Sequence, residues 1–243
     1  VSHMGETASS TAALLLRDTD HSQPVGQRMY RVLRERIVTG DLLPGTRLSE
    51  VEMASTYAVS RQPVREAYIK LAEEALVEIR PQRGTFVSRI HVPSIMSARF
   101  VREAVEADIV RLLAERSDAA LVARLRNVLV AQRQAVDLDD PERFLELDEA
   151  FHRLLAAEAG NAASWDVLQP LKTQMDRFRH LSARKFPLPE LLSQHEEVVE
   201  AIAAGSASTA EAAMRGHLRK ILEDLPQIVA ATPEHFDGVQ VGA

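Results

Sequence analysis

Residues Val59 to Ala67 constrain this chain more than any other stretch. The spacing predicts a helix running from about Arg61 to Glu74. Ser60 stands at its N-cap, and Pro63 falls in the first turn, where a missing N–H is tolerated. The Ser60 hydroxyl is expected to accept from Gln62, because the third helical position has no donor. Arg61 and Arg65 are four apart and share a face. Val64, Ala67, Tyr68 and Leu71 follow the i, i+3, i+4, i+7 pattern of a buried stripe. Basic side chains at the N-terminal end, with an apolar stripe holding the helix down, make the layout of a helix-turn-helix recognition helix.

The residues before it supply the remaining helices of such a unit. Gln27 to Val38 has helical apolar spacing, closed by Thr39-Gly40, with a turn at Pro44-Gly45. Ser49 and Glu52 form a capping box for a short second helix, with Leu48 and Met53 as its hydrophobic staple. After the recognition helix, Leu76 to Arg80 and Thr85 to Arg89 flank a Gly-containing turn and read as a hairpin. That hairpin is either a plain element of a small α/β domain or a wing, with Arg83 at the tip placed for phosphates or a minor groove.

Charge is consistent with a basic front on an acidic body. The chain carries −6 overall, yet residues 24–90 hold 11 basic against 8 acidic side chains, and those from residue 91 on hold 17 against 24. The absence of cysteine excludes disulfides, thiolate metal sites and Cys nucleophiles, and is compatible with a cytoplasmic setting. No apolar run reaches the length of a membrane span. Residues 1–23 are expected to be a tag remnant (Val1 to Met4) and a disordered N-terminus, and residues 231–243 a flexible tail.

From His91 the pattern is helical throughout. Six helices are expected, at about 94–116, 119–136, 141–159, 162–184, 189–204 and 208–225. Their short connections imply an antiparallel bundle. Asp148 and His152 lie four apart, and His195 and His217 lie on two later helices. Carboxylate plus imidazole is a ligand set for Zn, Ni, Mn or Fe. An Asp-x-x-x-His pair taken alone is more often a surface pair, and a lone His near a helix end a cap.

Three motifs in order carry a family resemblance: Pro44 to Glu50, Val59 to Ala67, and Arg83 to Val87. Residues 24–90 resemble the winged helix-turn-helix of GntR-family transcriptional regulators. The resemblance implies that Arg61 and Arg65, with Ser60 and Gln62 beside them, meet the major groove. It places Arg83, Gly84 and Thr85 at the minor groove or phosphates, and Arg47 at a phosphate. Ala58 departs from the family, whose turn usually has Gly there. Residues 91–225, within a second domain expected over 91–230, resemble the all-helical effector domain of the FadR-type branch, the FCD fold. The matching stretches are Asp148 to His152, Ala159 to Asn161, His195 to Ile202 and Met214 to Leu218. In the metal-binding members one Asp and three His take the positions of Asp148, His152, His195 and His217. Members that bind acyl-CoA lack this quartet.

The fold class expected is therefore mainly α: a winged helix-turn-helix followed by a helical bundle that dimerises. Arg102 either clamps an effector carboxylate or pairs with Glu106 on the surface; Asn161 is either a pocket group or a helix cap; Arg177 or His180 is the candidate from the basic stretch Arg177, Arg179, His180 and Arg184. The expected function is operator binding by a homodimer, as a repressor and not an enzyme, modulated by a small carboxylate at a divalent metal. The alternative is a metal-dependent hydrolase or lyase on small acids, for which Glu149 is the nearest carboxylate, about 100° around the helix from Asp148.

Overall fold

The protein, described here from a computed structural model, is defined over residues 22–116, 118–185 and 187–238; the expected tag remnant and most of the expected N-terminal tail lie outside them. It divides into two compact units, one running to Ile90 and including Glu234–Asp237, the other His91–Pro233.

In the first unit α1 (Val25–Val38), α2 (Glu50–Thr56) and α3 (Arg61–Glu73) surround a core of Met29, Leu33 and Ile37 from α1 and Val64, Ala67, Tyr68 and Leu71 from α3. Ser49 caps α2 by accepting from the Glu52 amide at 3.3 Å. The turn into α3 is left-handed at Ala58 (φ 53°), and the Val59 amide reaches back to the Ala54 carbonyl at 3.0 Å, which closes the helix end. The wing has three strands where the sequence predicts two: β1 (Arg47–Leu48) pairs with β3 (Gly84–Val87), and β3 pairs with β2 (Val77–Arg80). A two-residue strand has no periodicity of its own, so β1 is specified only by its partner, Phe86 opposite Arg47.

The second unit is a bundle of α4 (Val92–Arg116), α5 (Ala119–Asp137), α6 (Pro141–Glu158), α7 (Ala162–Ser182), α8 (Leu188–Ala203) and α9 (Ala207–Arg219). Asp118 and Asp140 cap α5 and α6 through the amides of Ala120 and Arg143. Helix α4 packs against α6, α7, α8 and α9, so its inner face is surrounded on several sides. Yet that face carries Arg102, Glu103 and Glu106 among its buried residues, a departure from apolar patterning at the heart of the unit.

Two expectations need correction. The last helix does not run unbroken to Leu225; it ends at Arg219, and a further helix, α10 (Ile221–Ala231), follows with Pro226 inside it. At the break the backbone bonds tighten to i→i+3, from the Lys220 amide to the His217 carbonyl and from the Glu223 amide to the Lys220 carbonyl, while Pro226 is accommodated inside α10. The segment from residue 231 is not wholly a tail either. Phe236–Asp237 forms β5, which pairs with β4 (Ile90–His91) and buries Phe236, the one aromatic side chain in that polar stretch. Among the described residues no helix is long and apolar enough to cross a membrane.

Candidate functional site

The exposed face of α3 presents Arg61, Gln62 and Arg65. Arg65 is held by α2: its Nε donates to the Glu50 carboxylate at 2.8 Å. Ser60 stands at the cap position, but its hydroxyl makes no capping bond, contrary to expectation. At the wing, Arg83 is exposed at the tip, where Gln82 and Gly84 both have positive φ. Arg47 lies across Gly84, so that a Cβ there would meet the guanidinium at 3.2 Å. Thr85 departs from the expected contact set. Its side chain is buried, because strand alternation turns it and Val87 inward, and only its backbone remains for a ligand.

The bundle brings together the four residues singled out for metal binding. Asp148 and His152 point inward from α6, His195 from α8 and His217 from α9, all four buried, with one ligand atom from each within 4.8 Å of the others. The imidazoles converge through the same atom. Nε2 of His217 lies 3.3 Å from Nε2 of His195 and 3.2 Å from Nε2 of His152. Each Nδ1 faces outward to an oxygen: Gln132 Oε1 at 3.0 Å for His195, Gln194 Oε1 at 3.0 Å for His217, and Glu106 Oε2 at 2.5 Å for His152. At His195 and His217 the oxygen acceptor at Nδ1 places the proton there and leaves the Nε2 lone pairs facing each other, while Nδ1 of His152 approaches Glu106 without hydrogen-bond geometry. Lone pairs at this separation repel unless a cation or proton lies between them.

The electrostatics favour a cation over a proton. Burial pushes His195 down to about 3, and burial with the neighbouring imidazoles holds His217 well below the usual histidine range. Asp148, although burial opposes its charge, is held well below the usual carboxylate range by Arg179, which donates to Oδ2 at 2.6 Å. Its Oδ1 is buried, has no hydrogen-bond donor and lies 3.5 Å from His195 Nε2. One orphaned carboxylate oxygen and three imidazole lone pairs suit a borderline divalent metal. Phe151 stacks on His195 with ring centroids 4.4 Å apart, and this apolar contact limits the ring's freedom.

A cavity of about 60 Å³ adjoins the quartet, with His217, Arg102 and Arg179 in its wall. Arg102 does pair with Glu106, as one alternative held, but in the interior and not on the surface: Nε donates at 2.5 Å, and both side chains are buried. Burial works against the Glu106 charge, yet Arg102 and His152 hold its carboxyl at about 2. Asn161 is placed elsewhere. It is exposed at the start of α7, bonds through Nδ2 to the Ala159 carbonyl, and lines a separate cleft with Arg215. Arg177 is buried with its Nη1 on Gln174 and does not line the cavity. Its neighbour Arg179 does. Glu149, the carboxylate nearest to a general-base position, is committed to Lys172 at 2.7 Å and to Trp165 and Gln169.

Sequence reasoning missed Gln132, Gln194 and Arg179. Gln132 did leave a signal, since it continues the apolar stripe of Leu121, Leu125 and Leu129 and is fully buried. A polar residue on such a stripe needs a buried partner.

Comparison with known proteins covers both units. Residues 26–87 match the family model described as bacterial regulatory proteins, gntR family, and residues 98–220 match the FCD domain. The HTH-type transcriptional repressor RspR of Escherichia coli strain K12 is 40% identical over 216 residues, which is 88% of this chain and 95% of that protein. A putative GntR transcriptional regulator from Rhodococcus sp. RHA1 superimposes with a TM-score of 0.67 at 28% identity, covering 85% of this chain and 98% of that one. E. coli McbR/YncC shares the fold, with a TM-score of 0.69 at 19% identity over 85% of this chain and 99% of the other.

Proposed function

The chain belongs to the GntR family of bacterial regulatory proteins and is a DNA-binding transcriptional regulator with an FCD domain, and from that premise we propose that it is a metal-dependent, acid-responsive repressor. A homodimer reads a near-palindromic operator in the cytoplasm. Arg61, Gln62 and Arg65, with Ser60 at the helix start, enter the major groove; Arg83 and the Gly84–Thr85 backbone meet the minor groove or phosphates; Arg47 meets a phosphate. Exposed Phe100 on α4 and Val167 and Leu171 on α7, two helices that pack together, supply apolar surface for the dimer.

The observation that carries the metal reading is the approach of the His152 and His195 Nε2 atoms to that of His217 beside Asp148, whose orphaned Oδ1 lies 3.5 Å from His195 Nε2. Asp148, His152, His195 and His217 would hold Zn, Ni, Mn or Fe. When bound, the ion supplies concentrated positive charge and a Lewis-acid position for a carboxylate oxygen. Glu106, Gln132 and Gln194 orient the imidazoles, and Arg179 orients Asp148. Arg102 and Arg179 hold the acid. The acid changes operator affinity only as far as it binds the two arrangements of the dimer unequally.

The test is metal analysis of protein purified without chelator, coupled to operator binding. The expected result is about one divalent ion per chain, lost in His195→Ala with His217→Ala, and an acid effect on operator affinity that disappears after chelation. A chain that takes up no divalent metal under saturating conditions ends the metal reading. An operator response to acid that survives chelation makes the metal structural only.

A further inference from the structure

The segment that follows α10 returns to the point where the chain passes from the first unit to the second. Strand β3 ends at Val87, and α4 begins at Val92, immediately after β4 (Ile90–His91). Ser88 is tied back through its amide, which donates to the Leu76 carbonyl at 2.9 Å. Arg89 to His91 form the link itself, and β5 (Phe236–Asp237) holds β4 in a sheet of two strands. Resting on the homodimer reading above, we infer that residues 233–238 are a clasp on this link, and that the clasp fixes the separation at which the two recognition helices of a dimer accept operator half-sites.

The clasp is built from more than backbone pairing. A ribbon of two short strands is marginal by itself. Here Ile90 and Phe236 are both buried, while His91 and Asp237, at the alternate positions, are exposed. Peeling β5 away would put a large aromatic side chain into water. Next in the chain, Gly238 has φ 65°, and a Cβ on it would meet Pro93 Cδ at 2.7 Å and His91 Cε1 at 2.9 Å. Glycine is required there on two counts, a left-handed backbone and a close approach to the first turn of α4. The other end of the segment is rooted in α10, where Leu225 and Ile228 are buried, and α10 follows directly on α9.

A base pair added between half-sites moves one of them by about 3.4 Å and turns it by about 35° relative to the other. A clasped link cannot follow that displacement. Without β5, the three residues Arg89 to His91 would reach up to about 10 Å when extended, enough to absorb one or two base pairs. The same freedom spreads the second recognition helix over more positions, so tolerance of a wrong spacing comes with weaker binding at the right one.

The experiment compares the full chain with a chain ending at Thr232 and with Gly238→Val. The duplexes are those that the full chain selects from a random pool, and the same duplexes with one or two base pairs inserted between the half-sites. The full chain is expected to lose roughly tenfold or more in affinity at the altered spacings, and both variants less than about threefold. Dimer content by sedimentation and affinity for a single half-site should not change. Amide exchange at Ile90 and His91 should be slow in the full chain and fast in both variants. Gly238→Val keeps the whole chain and carries the test if the truncated chain does not fold. A variant with fast exchange at Ile90 and His91 that keeps the spacing preference of the full chain overturns the inference. Slow exchange at both residues in the variants overturns the clasp itself. A full chain that is a dimer and accepts all spacings equally overturns the inference and leaves the dimer reading standing. A full chain that binds its selected duplexes as a monomer overturns the dimer reading and this inference with it.

Discussion

Arg179 donates to Oδ2 of Asp148 at 2.6 Å, so the other oxygen of that carboxylate is the one turned toward His195. The guanidinium both orients Asp148 and keeps it ionised in a site that excludes water. Arg179→Met is therefore expected to lower divalent-metal affinity by roughly 10–100-fold. Competition against a chromophoric chelator measures it, and an unchanged affinity would remove Arg179 from the site.

Gln132→Leu tests the orientation of His195. The variant deletes the acceptor at Nδ1 and with it the buried Gln132 Nε2, which has no hydrogen-bond partner. The two effects oppose each other, so the stability of metal-free protein should change by less than about 1 kcal/mol. Metal affinity should fall by roughly tenfold or more. Equal loss of stability and affinity would mean that Gln132 only fills space.

Acid should destabilise the metal-free protein earlier than ordinary carboxylate titration would. His195 is pushed down to about 3 by burial, against about 6.5 in the unfolded chain. Between those values the unfolded state binds a proton that the folded state does not, so stability falls as pH falls, by about 1.4 kcal/mol per pH unit for such a group. His217 acts in the same direction. Asp148 and Glu106 are held low and add their loss only below about pH 4. Urea midpoints of chelator-treated protein from pH 8 to 4 should decline from about 6.5, and His195→Leu should flatten the decline. A level profile down to pH 5 would contradict the buried neutral imidazoles.

Ala58 sits at φ 53°, a conformation that favours glycine. Ala58→Gly should stabilise the first unit by up to about 1 kcal/mol, because relief of the left-handed strain exceeds the added entropy of the unfolded chain. Chemical denaturation of the full chain would register it, and a destabilised variant would mean that the alanine methyl packs usefully in the turn.

Arg65→Ala should weaken operator binding by roughly 1–3 kcal/mol and relax base preference at one position per half-site. Glu50→Ala removes only the half-buried partner of the exposed Arg65, a surface ion pair of the kind worth about 0–1 kcal/mol, and should act less. Selection from a random duplex pool followed by affinity measurement tests both; normal binding by Arg65→Ala with unchanged preference would refute the docking.

The two folds were legible because their signals are local. The stripe of Val64, Ala67, Tyr68 and Leu71 is buried as its spacing implies, and Ser49, Asp118 and Asp140 cap the helices that follow them. The quartet was legible only as a set of residue types on three helices, named through a family resemblance. Its outward partners were not: nothing at position 132 or 194 says which imidazole it will meet. Asn161 stands at the N-cap position of α7, one of the two places open to it, and away from the cavity; nothing local separates Arg177 from Arg179, to which packing gives the cavity wall, and strand alternation turns the Thr85 side chain inward.

The sequence by itself determined which faces are apolar, where helices start, that no thiolate site exists, and that one Asp and three His stand available on α6, α8 and α9. Only the tertiary structure decided that their ligand atoms converge, that Glu106, Gln132, Gln194 and Arg179 surround them, and that Arg102 is buried. Periodicity reports which side of a helix leaves water, because that depends on residues a turn apart. Which neighbour it then meets depends on packing between segments distant in the chain, such as Gln132 with His195 or Asp148 with Arg179, and no local pattern encodes that.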